Sequence, residues 1–209
     1  MTRCLPESEA SIGVAAELIR AGELIVYLTD TLYGLGSDAT NEAAVARVFA
    51  LKGRAETKPL LVLVRDLDEA AACGRIDGAA RKLAERFWPG PLTLVVERTT
   101  ASPLAPGLNP QGSTIGLRVP ARTMTRSLIR AADRPLTAPS ANRSGAPPAR
   151  SATEALATFG AGIALALDGG PSISQPSTIV GWSAGRLSLL REGGISCDDL
   201  AAVAGSVDG

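Results

Sequence analysis

The chain has 209 residues, of which 45% are hydrophobic, and it carries equal numbers of basic and acidic residues, 21 of each. This length and composition indicate a folded chain with a sizeable core, and they argue against intrinsic disorder. The formal net charge of zero excludes a bulk electrostatic attraction to nucleic acid or to membranes, so any such attraction must come from a local patch.

Helical and strand patterns alternate along the chain. Helical spacing predicts helices over residues 8–21, 41–51, 67–73, 77–87 and 123–132, and another that begins with the capping-box spacing of 151–154. Short apolar runs predict strands over 24–28, 60–64, 92–97, 115–119, 136–138, 163–167, 177–180 and 187–190. This order predicts an α/β fold with a large mixed sheet, in one domain over residues 1–209.

The residue types that are scarce or absent narrow the chemistry. The three cysteines, Cys4, Cys73 and Cys197, share no CxxC spacing, which argues against a disulfide framework or a zinc site and favours a reducing cytoplasm. The N-terminal segment lacks the apolar core of a signal peptide, and no segment approaches the ~20 apolar residues of a membrane span. The chain has no histidine, which excludes Ser-His-Asp and Cys-His catalysis.

Residues 34–39, Gly-Leu-Gly-Ser-Asp-Ala, match the G-x-G-x-x-A pattern of dinucleotide-binding turns. In that motif the first glycine follows its strand directly, whereas here residues 29–33 intervene. No acidic residue ends a following strand about twenty residues further on. The pattern therefore favours a flexible turn over a dinucleotide site.

Polar and cationic residues follow or interrupt several predicted strands. Thr29-Asp-Thr31 follows the strand 24–28, and Ser140 and Asn142 follow the strand 136–138. Arg118 lies among apolar residues of a strand, where a guanidinium is expected to face an anion. Residues 52–58 place three cations between a helix and a strand, a pattern also typical of a solvated helix end.

Together these segments resemble the YrdC-like threonylcarbamoyl-AMP synthase family from about Gly22 to Gly194. The shared motifs, in chain order, are TDTLYGLG, KGR with a later lysine and Pro-Leu, FWPGPLT, GLRVP, APSANRSG, DGG, PST and LLREG. The family's paired signature, K-x-R with S-x-N, is present as Lys52/Arg54 and Ser140/Asn142. A related YciO-like branch lacks the S-x-N, so its presence favours the synthase. The resemblance is to the short type, without an extra C-terminal domain.

The resemblance implies a twisted α/β sheet with a concave basic cavity. It also implies that L-threonine, bicarbonate and ATP, with Mg²⁺, give threonylcarbamoyl-adenylate and pyrophosphate. Partner proteins would then transfer the threonylcarbamoyl group to tRNA. Weak RNA binding by this chain itself stays open, and no membrane partner is expected.

Family matching also implies the roles of individual residues. Lys52 and Arg54 would be catalytic and would serve the triphosphate. Threonine would be held by Thr31, Ala138, Arg118 and Ser177. ATP would be held by Arg54, Lys58, Thr114, Ser140, Asn142 and Arg191, and no residue is expected to bind a metal directly. Leu63 replaces a histidine and Leu28 a proline of many relatives, and Leu63 is expected to make the threonine pocket drier.

Two other functions stay open from the residues alone. A non-catalytic RNA-binding module would explain the seven arginines against one acid in residues 118–150. It would not explain the hydroxyl-rich strand ends, nor an aromatic content of only 3%, because single-stranded RNA is usually bound by stacking on aromatic rings. The other is a carbamoyl-adenylating enzyme with a different substrate, similar to a domain of hydrogenase-maturation carbamoyltransferases.

Overall fold

The computed structural model describes residues 3–53, 59–172 and 174–207, and its mixture of helices and strands confirms the α/β class. The described helices are α1 (Glu9–Arg20), α2 (Glu42–Lys52), α3 (Leu67–Cys73), α4 (Gly78–Phe87), α5 (Thr123–Ala132), α6 (Ala152–Phe159) and α7 (Cys197–Ala204). The described strands are β1 (Arg3–Pro6), β2 (Ile25–Leu28), β3 (Tyr33–Gly36), β4 (Leu61–Leu63), β5 (Leu92–Glu97), β6 (Thr114–Arg118), β7 (Leu136–Thr137), β8 (Leu165–Asp168), β9 (Thr178–Ser183) and β10 (Arg186–Arg191).

The described strands form two mixed sheets where the sequence suggested one large mixed sheet. The first sheet has the order β1-β8-β2-β3, in which only the β2–β3 pair is antiparallel. The second has the order β10-β9-β5-β6-β4-β7, and its neighbours alternate between antiparallel and parallel pairing. Both sheets are mixed, as the sequence predicted.

Residues 135–141 join the edges of the two sheets. This segment, which contains β7 of the second sheet, runs antiparallel to residues 33–39, which contain β3 of the first. Gly34 and Ser140 form a bridge, and further backbone hydrogen bonds follow along the pair, including Ala141 N–H to the Tyr33 carbonyl at 2.8 Å. We call this junction the seam. It fixes the position of loops from one sheet relative to strand ends of the other.

Two buried clusters hold the sheets and helices together. In the smaller cluster, α1 and α5 pack on β2 and β8, and the helical spacing of Ile12 and Ile19 places both on the buried face. The larger cluster covers the second sheet and the helices α2, α3, α4 and α6. The longest described helix, α1, has 12 residues, so no helix in these ranges has the length needed to cross a bilayer.

Three described elements were not predicted, namely β1, β3 and α7. β3 has the sequence Tyr-Gly-Leu-Gly, and glycine is depleted in strands, so the segment resembles a loop until its partners are known. A Cβ atom on Gly36 would lie 2.5 Å from the Tyr27 ring. Glycine is therefore required at this position for packing within the sheet. The G-x-G pattern lies in a strand and not in a turn before a helix, which removes the basis of the dinucleotide alternative.

Candidate active site

The turn between β2 and β3 presents Thr31 at the seam. The Thr29 hydroxyl accepts hydrogen bonds from the backbone N–H groups of Thr31 and Leu32, both at 3.1 Å, and donates to the Leu32 carbonyl at 2.8 Å. The Thr31 hydroxyl lies 3.0 Å from the Thr29 hydroxyl. Either hydroxyl of this pair can be the donor. Thr29 therefore shapes the turn, and Thr31 is the residue displayed.

Arg118 ends β6 and reaches the same turn. Its side chain is 2% exposed, and Nη1 donates a hydrogen bond to Thr31 Oγ1 at 2.9 Å. Leu117 and Val119 point into the larger cluster on the opposite face, as strand alternation predicted. Burial lowers the pKa of Arg118, and the Asp30 carboxylate, 3.7 Å from Nη2, partly offsets this. Arginine nevertheless stays protonated at neutral pH, so Arg118 contributes a fixed positive charge.

Ser177, just before β9, links two further strands to the site. Its hydroxyl lies 2.9 Å from the hydroxyl of Thr93 in β5. Arg191, the last residue of β10, donates to the Ser177 carbonyl from Nε at 3.1 Å and from Nη2 at 2.8 Å. Burial lowers the pKa of Arg191, and the positive charge of Arg118 lowers it further. The two guanidinium groups are thus close enough to repel each other, an arrangement that favours binding of an anion.

Lys52 ends α2 and is 1% exposed, so it does not belong to a solvated helix end. Nζ donates to the backbone carbonyls of Ser140 at 2.5 Å and of Asn142 at 2.6 Å. The Ser140 hydroxyl in turn donates to Asn142 Oδ1 at 2.5 Å. The K-x-R and S-x-N motifs therefore meet through Lys52, which fastens the loop that follows β7.

A cavity of about 250 Å³ lies at the seam. Its described lining comes from the 29–34 turn, the 138–140 segment, the 176–179 segment and single residues of other strands. Arg118 and Arg191 are the only charged residues of that lining within the described ranges. The volume lies slightly below the ~300–1,000 Å³ found for small-molecule sites, which suits a ligand of amino-acid size.

The structure brings together most of the residues expected to bind threonine or ATP. The cavity is lined by Thr31, Ala138, Arg118, Ser177, Ser140 and Arg191. Lys52 and Asn142 lie behind Ser140 and are bonded to it. Thr114 lies at the other end of β6, about 13 Å from Arg118 at the usual rise per strand residue, and is not part of the described lining. Arg54 and Lys58 lie outside the described residues.

Leu63, the position at which many relatives have a histidine, and Leu61, two residues before it in β4, differ in their place relative to the cavity. Leu61 is part of the lining, whereas Leu63 is fully buried in the smaller cluster. Leu63 nevertheless lies beside Arg118, its partner in the β4–β6 register, so a drier threonine pocket stays a prediction. Thr93 was missed as a site residue, although its alternation within β5 could have placed it on the cavity side.

The fold and the site define the chain as an α/β protein with a small cavity that is lined by two arginines. A family model for Sua5, YciO and YrdC proteins, described as telomere recombination, matches residues 17–193. The threonylcarbamoyl-AMP synthase of Pyrococcus abyssi is 37% identical over 203 residues, which are 95% of this chain and 58% of that protein. The threonylcarbamoyl-AMP synthase of Bacillus subtilis is 35% identical over 205 residues, which are 97% of this chain and 59% of that protein.

A solved structure extends the likeness to the fold. The crystal structure of P. abyssi Sua5 complexed with L-threonine matches with a TM-score of 0.91 and 34% identity, over 100% of this chain and 61% of that one. The chain belongs to the Sua5/YciO/YrdC family. It spans about six-tenths of the length of these relatives.

Proposed function

We propose that the chain is an L-threonylcarbamoyladenylate synthase, a nucleotidyltransferase that makes threonylcarbamoyl-adenylate and pyrophosphate from L-threonine, bicarbonate and ATP. The observation that carries the proposal is the meeting of Thr31, Arg118 and Ser177 in one cavity of amino-acid size. Two relatives named threonylcarbamoyl-AMP synthase and a relative's structure with L-threonine support it.

The cavity suits the zwitterionic head and the small hydroxylated side chain of threonine. Arg118 would hold the carboxylate through Nη2. Nη1 already donates to Thr31, whereas Nη2 makes no hydrogen bond to a described residue and lies 3.7 Å from Asp30. The hydroxyl groups of Thr31 and Ser177 would offer neutral hydrogen bonds to the amino acid. Arg191, oriented by Ser177, would add positive charge where an anionic carbamate or phosphate forms.

The proposed reaction suits a chain without histidine. The threonine amine is itself the nucleophile toward bicarbonate or CO₂ and gives a carbamate with loss of water or a proton, respectively. A carbamate oxygen then attacks the α-phosphorus of ATP and pyrophosphate leaves. The protein's work is to position the reactants and to neutralise charge, which is the main burden of phosphoryl-type transfer.

ATP would extend beyond the cavity, since a volume of about 250 Å³ does not hold both substrates. We propose that Ser140 contacts it at the cavity wall, with Asn142 beside it. Roles for Arg54, Lys58 and Thr114 in binding ATP remain part of the proposal.

The described lining offers hydroxyl and carbonyl oxygens but no carboxylate, and no cluster of three metal-binding side chains is found in the ranges that the structure covers. This donor set fits Mg²⁺ that enters on the phosphates of ATP and retains water ligands. The ion would neutralise charge on the phosphates when bound. Ser140 and Arg191 would hold the nucleotide's oxygens around it. Transfer of the product to tRNA by partner proteins, weak RNA binding and a cytoplasmic location remain predictions.

Pyrophosphate release, measured with each substrate omitted in turn, tests the proposal. Release should require ATP, bicarbonate and L-threonine together, and Arg130→Lys, on the exposed side of α5, should behave as the wild type. Release that continues unchanged without threonine would contradict the assignment. Activity with a different acceptor in place of threonine would favour a carbamoyl-adenylating enzyme of other specificity. Salt-sensitive RNA binding without nucleotide turnover would favour the RNA-binding module.

A further inference from the structure

Asp30 is a buried carboxylate beside the cavity that the proposed reaction does not use. It lies between the two threonines of the β2–β3 turn, and its side chain is 11% exposed. Both carboxylate oxygens are buried, and neither accepts a hydrogen bond from any residue in the described parts of the chain. Asp30 is not part of the described cavity lining, so a ligand there would not touch it.

The charge of Asp30 faces the charge of Arg118. The nearest approach is 3.7 Å between Asp30 Oδ1 and Arg118 Nη2, which is an ion pair but too long for a hydrogen bond. Nε of Arg118 is also buried and has no hydrogen-bond partner in the described ranges. Each of the two buried charges is therefore balanced mainly by the other, and each group keeps at least one polar atom without a hydrogen bond to a described residue. A buried charge that loses such a partner is strongly destabilising.

We propose that Asp30 is the resident counter-ion of Arg118 in the ligand-free protein, and that the carboxylate of the amino-acid substrate takes over this role when it binds. The identity of that substrate as L-threonine and the binding of its carboxylate by Arg118 rest on the proposed function. Asp30 is thus a positioning residue, which acts on the substrate through Arg118. The 3.7 Å ion pair with Asp30 balances the positive charge of Arg118 but does not occupy the N–H groups that a carboxylate ligand needs.

This arrangement gives the Asp30→Asn variant an unusual combination of effects. The ligand-free protein should lose stability, because Arg118 is left as an uncompensated buried cation. A carboxylate ligand should bind more tightly, because it no longer competes with, or is repelled by, a resident negative charge. An amide analogue has no carboxylate and should gain nothing. We expect selectivity for L-threonine over L-threoninamide to rise by roughly ten-fold, a size in keeping with one charge acting across a guanidinium in a partly screened site.

Isothermal titration calorimetry of the full chain with L-threonine and with L-threoninamide measures this selectivity. Asp133→Asn is the matched control. It removes an equal charge from a side chain that is 69% exposed, and asparagine tolerates the left-handed backbone found there at a φ of 50°. Its selectivity should match the wild type. A rise confined to Asp30→Asn supports the proposal, whereas an equal loss of affinity for both ligands would show that Asp30 only shapes the turn.

A second measurement needs no ligand. In an Arg118→Met background Asp30 is the orphaned charge, so adding Asp30→Asn should restore stability, whereas in the wild type the same change should reduce it. Denaturant unfolding of the four proteins gives the coupling between the two sites. The same stability cost in both backgrounds would overturn the proposed pairing, even if Asp30→Asn alone were too unstable to titrate. Failure of the wild type to bind threonine would instead contradict the proposed function and leave the pairing to be judged by this cycle.

Discussion

Replacing Lys52 by methionine should destabilise the fold as well as impair the site. The structure buries Lys52 to 1% exposure and directs Nζ at the carbonyls of Ser140 and Asn142. Methionine fills similar space but leaves both carbonyls without that donor, at about 1–3 kcal/mol each. Removal of a buried ammonium, whose desolvation is itself costly, offsets part of this. The expected loss is therefore about 2–4 kcal/mol, or a Tm lower by roughly 4–16 °C for a chain of this size.

Urea unfolding followed by fluorescence of Trp88 and Trp182 measures that loss. Lys82→Met, at an exposed position of α4, is the matched control and should stay within about 0.5 kcal/mol of the wild type. ATP affinity of Lys52→Met should also fall, because the loop carrying Ser140 is no longer fastened. Unchanged stability combined with lost ATP binding would refute the reasoning. It would mean that Lys52 leaves these carbonyls and serves the nucleotide directly.

Two further predictions concern single side chains. Arg118→Lys should weaken threonine binding by about ten-fold or more in calorimetry, because an ammonium acts as a point charge and about one charge-assisted hydrogen bond of the guanidinium is lost. The affinity for ATP should change little. A collapse of ATP affinity with threonine affinity retained would contradict the assignment. Burial raises the pKa of Tyr33 to about 12, above the ~10 of an unfolded tyrosine. The contribution of Tyr33 to the free energy of unfolding is therefore fully present below pH 10 and is lost as pH rises through 12. Tyr33→Phe should therefore make the unfolding free energy fall less steeply between pH 10 and 12, and an unaltered slope in denaturant titrations would count against this.

Local pattern was sufficient for most elements and for part of the site. The spacing of Ile12 and Ile19 predicts the buried face of α1, because it depends only on the 3.6-residue period. Arg118 could be assigned to the face opposite Leu117 and Val119 for an equally local reason, the two-residue period of a strand. The Ser151 cap is also confirmed, since its hydroxyl accepts from the Glu154 N–H at 3.1 Å.

What could not be predicted depends on partners distant in the chain. Lys52 resembles a solvated helix end until residues 140–142, about ninety positions away, are seen to accept its hydrogen bonds. β3 becomes a strand because β2 and the 135–141 segment supply partners on both sides. Nothing in the sequence around Asp30 indicates that its carboxylate lacks hydrogen-bond donors among the described residues and faces a buried guanidinium.

Because the cavity lies at the seam, a ligand bound there would contact residues of both sheets. Thr31 belongs to a loop of the first sheet, whereas Arg118 and Ser177 belong to strand ends of the second. The Arg118–Thr31 hydrogen bond of 2.9 Å already crosses from one sheet to the other. A ligand held by all three residues would add contacts across the same junction and would stabilise the folded state by mass action. Under the proposed function, the contacts that would recognise the substrate would therefore also strengthen the seam.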